Sequence, residues 1–510
     1  MIEIVPFQEE FRQGLPKVTG NVDYEQFRDN LERIAELIKL SKIDQRVMRE
    51  VLRQHQDEDN RRRQSRGKKP KELKAKAKVR IQKMARQALR CGIARHLTGE
   101  AYRVFSCRLA DSAVLQKFCL IDWLVAIQVP SKSQLQRYEG MFEEEFLREI
   151  ISEVTEKAAE PVVPEAQDQG FGLENPLSLK DYFVDTTCLE ANIHFPVDWT
   201  LLRDATRTLM KAVRLIRREG LKNRMQEPES FMRQMNRLSI EMTHTRRKKD
   251  GQRARKKVLR LMKKLIKKVA GHALIHRDML KSNWEQTTLS EQEAGQIIKR
   301  IDAVLAQLPQ AVYQAHERII GGRQVDNSKK ILSLYEREIH VIVRGKAGAE
   351  AEFGNTLLLG EQSDGVILDW KLYQDQARAD MKLLPESLER IESYYQRRPG
   401  SVTTDRGFDS ADNRLYLESR NIKNNICPKS VEALREQLRD TSFCEAQKRR
   451  GQTEGRIGIV KNVFLGSPLR SKGFCSRQMS VAWAVLSHNL WVIARLSQAK
   501  QQDQEQQQAA

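Results

Sequence analysis

From Val22 to about Gln54 the apolar residues Phe27, Leu31, Ile34, Leu37, Ile38, Ile43 and Val47 recur mostly at three- and four-residue steps. That period predicts one amphipathic helix, or two, with an interaction face. The run Arg61 to Lys78 has too few apolar positions for a core and reads as a flexible arm or an exposed helix. Helical periodicity returns from about Lys78 to Ala158, interrupted at Val129-Pro130. Ser131 stands three residues before Gln134, the spacing of a capping box at a new helix. Ala110 to Leu120 and the helix from Ser131 have the proportions of a helix-turn-helix, whose second member presents Lys132, Gln134, Gln136 and Arg137. Any two short helices with a polar second member share those proportions.

Pro161, Pro164 and Pro176, with Gly170 and Gly172 among them, predict a linker over 157–178. The pattern then turns strand-like, with Tyr182-Phe183-Val184 leading into Asp185 and a second extended piece from Asn192 to Phe195. From Trp199 to about Arg323 it is helical and strongly basic. Strands return at Glu338 to Arg344, Asn355 to Gly360 and Val366 to Tyr373, the last two joined by Ser363-Asp364-Gly365, a hairpin signal. A helix from Ala379 to Gln396, a short β-prone run Ser401 to Asp405, a helix near Ala411 to Arg420 and a strand at Asn425 to Cys427 precede further helices to Leu496. Ser497 to Ala510 is Gln-rich and reads as disordered. Mixed strands followed by crossover helices define an α/β or α+β layer, with acids at strand ends.

Charge narrows the partner. The chain has 510 residues, room for roughly three domains, and 89 Lys and Arg against 68 Asp and Glu give +21. Between Arg61 and Arg95 there are 15 basic residues and one acid, Glu72; between Leu201 and Ala270 there are 23 basic and 6 acidic. Such blocks can simply solvate helix faces, but two this dense favour a polyanion, nucleic acid first. Arg246, Arg247, Lys248 and Lys249 form the densest run. With 6% aromatic residues, neither block pairs its charge with an aromatic face suited to a membrane. The longest mostly apolar stretch, Val481 to Leu496, falls short of a span. The start lacks a secretory pattern, and seven cysteines without metal-ligand spacing fit a reducing cytoplasm.

Three acids stand out. Asp185 and Asp405 end apolar strands, and Glu454 lies in a segment that, if helical, puts Arg450, Glu454 and Lys461 within about 40° of one another. A carboxylate between two cations suits a phosphodiester held beside a metal ion. Carboxylates from separate elements can hold two Mg²⁺ ions about 4 Å apart. Against this, a strand-end Asp is often a turn or cap residue, and Gly451, Gly455 and Gly458 weaken the helix. Glu352, Asp364 and Asp369 read as turn or exposed residues of the hairpin, and His488 as a satisfied core histidine. Gly345-Lys346-Ala347-Gly348 lacks the full phosphate-loop pattern.

The segments YFVDTTCLEANIHFP, RGKAGAEAEFGNTLLLGEQSDGVILDW and VTTDRGFDS, with Arg450, Glu454 and Lys461 at their spacing, resemble the catalytic core of bacterial insertion-sequence DDE transposases. Three of the four positions of that signature match; Gln447 stands where its leading Tyr falls. Arg108 to Met141 resembles the helical DNA-binding region of such proteins. The resemblance implies an RNase H-like catalytic domain over 179–198 and 330–497, after a helical N-terminal region 1–156, with a basic helical insertion over 199–329 and a tail 498–510. It also implies a triad of Asp185, Asp405 and Glu454 binding two Mg²⁺ or Mn²⁺ ions, with Arg450 and Lys461 on phosphates. The implied activity is cleavage at the element's terminal repeats and joining of the 3′-hydroxyl ends to target DNA, by a dimer or larger assembly in a bacterial cytoplasm. A non-catalytic DNA-binding protein, or a nuclease without strand transfer, is the alternative. Asp185 and Asp405 lie 220 positions apart, with the insertion between early strands, a departure from relatives that carry it before the Glu.

Overall fold

The computed structural model describes residues 3–7, 14–15, 18–121, 126–161, 170–245, 250–346, 349–466 and 469–496. The chain divides into two compact units: Met1–Leu189, Thr356–Tyr373 and Ala377–Ala510 in the first, Glu190–Asn355 and Gln374–Gln376 in the second. The division falls elsewhere than the expected domain boundaries: the N-terminal helices and the strands around Asp185 share one unit.

The first unit opens with seven helices, α1 Val22–Leu40, α2 Ile43–Gln64, α3 Ala75–Thr98, α4 Tyr102–Asp111, α5 Ala113–Phe118, α6 Lys132–Glu139 and α7 Glu144–Ala159. Asn21 caps α1, its side chain accepting from Tyr24 N–H at 3.0 Å. The predicted periodic face, Leu31, Ile34, Leu37 and Ile38, is buried, so it builds the core instead of standing free for a partner. Of the expected linker, 162–169 lies outside the described residues; Phe171, Leu173 and Leu177 are buried, and Leu177 N–H donates to Ala158 O at 3.0 Å. Apolar side chains draw this Pro-rich segment onto the core.

Strand β1, Asp181–Glu190, ends the first passage through this unit. The chain then builds the second unit from α8 Asp198–Arg218, α9 Pro228–Thr245, α10 Gly251–Asn283 and α11 Glu291–His316. These pack around a core that includes Leu202, Leu209, Met235, Met262, Val269 and Ile301. A full capping box, Ser290 with Glu293, starts α11. Strand β2, His340–Lys346, pairs antiparallel with the first part of β3, Ala349–Glu361. Asn192 to Phe195, expected as a strand, is not one: Ala191 N–H reaches Phe353 O at 3.0 Å, and Ile193 N–H then turns back to Ala191 O at 2.8 Å.

β3 carries the chain back into the first unit. There it pairs antiparallel with β4, Ile367–Leu372, across the predicted Ser363-Asp364-Gly365 hairpin, and lies beside β1. Next come α12 Leu384–Tyr395, β5 Ser401–Thr404, α13 Ala411–Ser419, β6 Lys423–Ile426, α14 Val431–Gln437, α15 Thr441–Ile459 and α16 Phe474–Arg495. β5 is parallel to β1 and β6 parallel to β5, so the class is mixed α/β, as the pattern predicts. One face of β3 puts Leu357 and Leu359 into the core shared with α1 to α7 and α16; Leu358 points into a second core beneath α12.

α16 is the apolar stretch noticed in the sequence. Every residue from Val481 to Leu490 is buried, as expected of a helix surrounded by protein. No helix among the described residues is long and apolar enough to cross a membrane. Asn489 saturates the first residue of β4, accepting from Ile367 N–H at 2.9 Å and donating to Ile367 O at 2.8 Å. Asp369 corrects the sequence reading. It is neither a turn nor an exposed residue but is buried, gripped by Arg390 at 2.8 and 2.7 Å, Arg148 at 3.2 Å and Ser387 at 2.7 Å. Those partners come from α7 and α12, which local sequence does not announce. The Gln-rich tail from Ser497 lies outside the described residues.

Candidate active site

The geometry begins with strand register. Asp181, Tyr182 and Phe183 of β1 stand opposite Ser401, Val402 and Thr403 of β5. β1 continues through Glu190, and Asp405, just past β5, keeps extended backbone at φ −78° and ψ −178°. Two more residues at the same offset bring Asp185 opposite Asp405, on neighbouring parallel strands about 4.8 Å apart. Side chains alternate between faces along a strand. Tyr182, Val184 and Val402 enter the core beneath α12. Phe183 takes the other face, where the Arg449 guanidinium of α15 lies 4.8 Å from its ring centre. Asp185 and Asp405 therefore share the face covered by α15. Both are half-buried.

Two anchors hold α15 over that face. Glu361, at the end of β3, is fully buried and accepts from Arg449 at 3.0 Å, Thr453 Oγ1 at 2.8 Å and Arg456 at 3.1 Å. The hairpin leaves room for it: Gly365 has φ +89°, and a Cβ there would strike the Arg456 guanidinium. The second anchor is Gln447, whose Nε2 donates to Thr404 O at 3.2 Å and Asn425 O at 2.7 Å, stitching α15 to the ends of β5 and β6. Gln447 Oε1 accepts from Arg450 Nε at 3.2 Å, and Arg450 donates onward to Glu454 Oε1 at 3.0 Å. Glu454 is thus tied through two side chains to Thr404, the neighbour of Asp405. Its side chain is 61% exposed, open to a substrate.

The expected helix through Glu454 is present as far as Ile459, despite its three glycines. A π-turn, Val460–Leu465, follows. Lys461 lies in that turn, half-buried and without a polar partner among the described residues, some 16 Å along the axis from Arg450.

Asp380, unnoticed in the sequence, sits at the mouth of the strands. Its Oδ1 accepts from Thr186 Oγ1 at 2.9 Å. Its Oδ2 and Asp405 Oδ1 each lie 3.0 Å from where a Cβ on Gly407 would stand, so the two carboxylates are within about 6 Å of each other. Gly407 N–H donates to Asp405 Oδ1 at 2.8 Å. No apolar periodicity or motif marks Asp380; only the fold reveals it.

Among the described residues no three His, Cys, Asp or Glu side chains are gathered closely enough to hold a metal ion. The donor chemistry nonetheless fits a hard divalent cation. Two aspartates on adjacent strands offer oxygen ligands alone, and Mg²⁺ takes one or two carboxylates beside waters and substrate phosphates. Glu454 is engaged by Arg450.

The remaining candidates are dispersed. α6 is capped by Ser131, which accepts from Gln134 N–H at 3.4 Å. Lys132, Gln136 and Arg137 are exposed on it, while Gln134 is half-buried and donates to Tyr138 Oη at 2.8 Å. α6 packs on α3 and α4. The expected first helix, Ala110 to Leu120, is instead split between the end of α4 and the six residues of α5, where Ser112 breaks and recaps the chain. Arg246, Arg247, Lys248 and Lys249 lie outside the described residues, as do Ala347 and Gly348. His488 is fully buried against Phe464, its Nδ1 3.2 Å from Asn489 Oδ1. Burial, then the nearby Arg456 charge, pushes its pKa down to about 3 despite Asn489. It is a core residue, only half satisfied, since Nε2 has no partner among the described residues. Comparison with protein-family models, with curated proteins and with solved structures finds no match.

Proposed function

We propose that the first unit is the catalytic core of a DNA transposase, RNase H-like in arrangement, that cuts the ends of its own element and joins them to target DNA. The observation that supports this reading is that the β1–β5 register carries Asp185 and Asp405 to one level of adjacent parallel strands, on the face crossed by α15, whose Gln447 is bonded to the ends of β5 and β6 and is linked through Arg450 to Glu454. The resemblance of the surrounding segments to insertion-sequence transposases implies the same three acids.

In this reading Asp185 and Asp405, with Glu454, hold Mg²⁺ or Mn²⁺. Two such ions, when bound, would supply charge neutralisation at the phosphate and at the attacking and leaving oxygens. The protein's own part is positional. Asp185 and Asp405 each stand two residues beyond the paired Phe183 and Thr403, so that pairing sets their spacing without the substrate. Arg450 binds the scissile strand's phosphate when Glu454 turns toward the aspartates, and Lys461 takes a phosphate further along the same face. The basic regions carry flanking duplex, and joining two ends calls for a dimer or larger assembly on DNA.

The test is incubation of the full chain with duplex carrying its element ends and Mg²⁺. Asp185→Ala and Asp405→Ala are each expected to abolish cleavage while retaining DNA binding; undiminished cleavage in either variant refutes the assignment. Cleavage without joined products would make the protein a nuclease. Binding without any cutting by the unaltered chain would make it a DNA-binding protein alone.

A further inference from the structure

We infer that the second unit docks duplex DNA without regard to sequence, through one stripe of cations along α10. Arg253, Lys257, Arg260, Lys264, Lys267 and Lys268 are all exposed. At about 100° per residue they fall within an arc of roughly 100°. The buried residues of the same helix, Val258, Met262, Leu265, Val269 and Leu280 among them, centre about 180° away and pack against α8, α9 and α11. The apolar face is therefore spent on the unit's own core; Leu261, Leu274 and Ile275 of α10 stay exposed, but among the described residues of this helix they form no continuous apolar face of the kind a bilayer takes.

Two features separate this stripe from a merely solvated face. First, α10 has no acid from Gly251 to Arg277, and among the described residues none of the six cations has an ion-pair or hydrogen-bond partner. Exposed cations elsewhere do pair, Arg62 with Glu58 and Arg53 with Glu50, and half-buried Arg277, on α10 itself, pairs with Asp302. Second, the stripe sets like charges at three- and four-residue spacing repeatedly, each pair costing about 0.2–0.5 kcal/mol in an isolated helix. A polyanion laid along it removes that repulsion. From Arg253 to Lys268 the stripe is about 22 Å long, between about six and seven base-pair rises of duplex. Lys and Arg alone, with no amide side chain in the row, favour backbone contact over base reading. The stripe rests on the proposed function only for the choice of DNA as its duplex.

The test uses the full chain in EDTA, with a duplex of arbitrary sequence, measuring affinity across a range of salt. The variant carries Lys257→Gln, Arg260→Gln, Lys264→Gln and Lys267→Gln together. Each cation over a phosphate contributes about 0.9 to the slope of log K against log salt, so the slope is expected to fall by about 2–4. A slope unchanged to within about 0.5 overturns the inference. A second variant, Lys257→Arg, Arg260→Lys, Lys264→Arg and Lys267→Arg, keeps the charge and is expected to retain the slope; equal loss there would mean that shape, not charge, was at stake, and also overturns it. Weakened binding to phosphatidylserine vesicles with duplex binding intact would assign the stripe to a bilayer and reject DNA. Because no cutting is read, the two proposals fail separately. A chain that never cuts but shows the slope change loses only the catalytic reading, and one that cuts without the slope change loses only the stripe.

Discussion

His488 and Glu361 are both ionisable and both buried in the first unit, yet the fold treats their charge oppositely. Glu361 meets two guanidiniums and a hydroxyl, whereas His488 is held neutral by burial first and the nearby Arg456 charge second, its pKa down at about 3 from an ordinary 6.5. Below pH 6.5 the unfolded chain accepts a proton that the folded chain refuses until about pH 3. This contribution to stability is therefore complete above 6.5 and is lost as pH falls through that window. His488→Leu is expected to flatten the decline, by up to about 1.4 kcal/mol per pH unit, in urea unfolding between pH 6.5 and 5. Parallel curves for variant and unaltered chain would show that His488 does not titrate on unfolding. The sequence announced His488 as a core residue because it sits within the mostly apolar run from Ala482 to Ile493. Glu361 and Asp369 could not be recognised so, because what neutralises them lies up to 95 and 221 positions away.

At the scale of elements, α15 is the piece on which the third acid depends. Its helical periodicity is poor, with Gly451, Gly455 and Gly458 within eight residues, and its place is set by partners more than by propensity. Glu361 fixes one side and Gln447 the other. Gln447→Ala removes the link to β5 and β6 while leaving the Glu361 anchor. Loss of such a supporting contact behind a reactive group typically costs 10–100-fold. We expect cleavage to slow by about that factor with duplex affinity unchanged; full activity would mean that the Glu361 anchor suffices. The strands that frame the site were legible because Tyr182-Phe183-Val184 and Ser401 to Thr404 are β-prone runs leading into Asp185 and Asp405, although β1 does not end at Asp185 but runs on to Glu190, and the hairpin because Asp364-Gly365 is a strong turn signal. The register was not. Nothing local in either run states that Asp185 stands level with Asp405, which follows only once the parallel pairing is known. Asn192 to Phe195 was misread for the converse reason: its composition is strand-like, but the backbone turns at Ile193 and finds no ladder.

The division of the whole molecule was the least legible feature. The basic helices over 199–323 were visible as an interruption, but their extent was not, since the second unit also takes in β2 and the first part of β3. The first unit, conversely, absorbs the N-terminal helices, whose burial against α16 depends on residues more than 400 positions apart, as Arg33 donating to Ala494 O at 3.1 Å illustrates.

The second unit begins and ends on strands, and its two ends are fastened together: Ala191 N–H bonds Phe353 O at 3.0 Å, and β1 and β3 are neighbours in the sheet. A lobe whose ends are clasped in this way can be lengthened, exchanged or lost with little strain on its host, since loop-closure cost grows only slowly with length. Replacing residues 192–352 by a two-residue Asn-Gly turn should leave a remnant that melts cooperatively and keeps near-native helicity for its own part of the chain; a remnant without a cooperative transition would show that the lobe is required for folding. If the proposed function holds, such a lobe is an interchangeable tool-head: what is grasped can change while the cutting machinery stays the same.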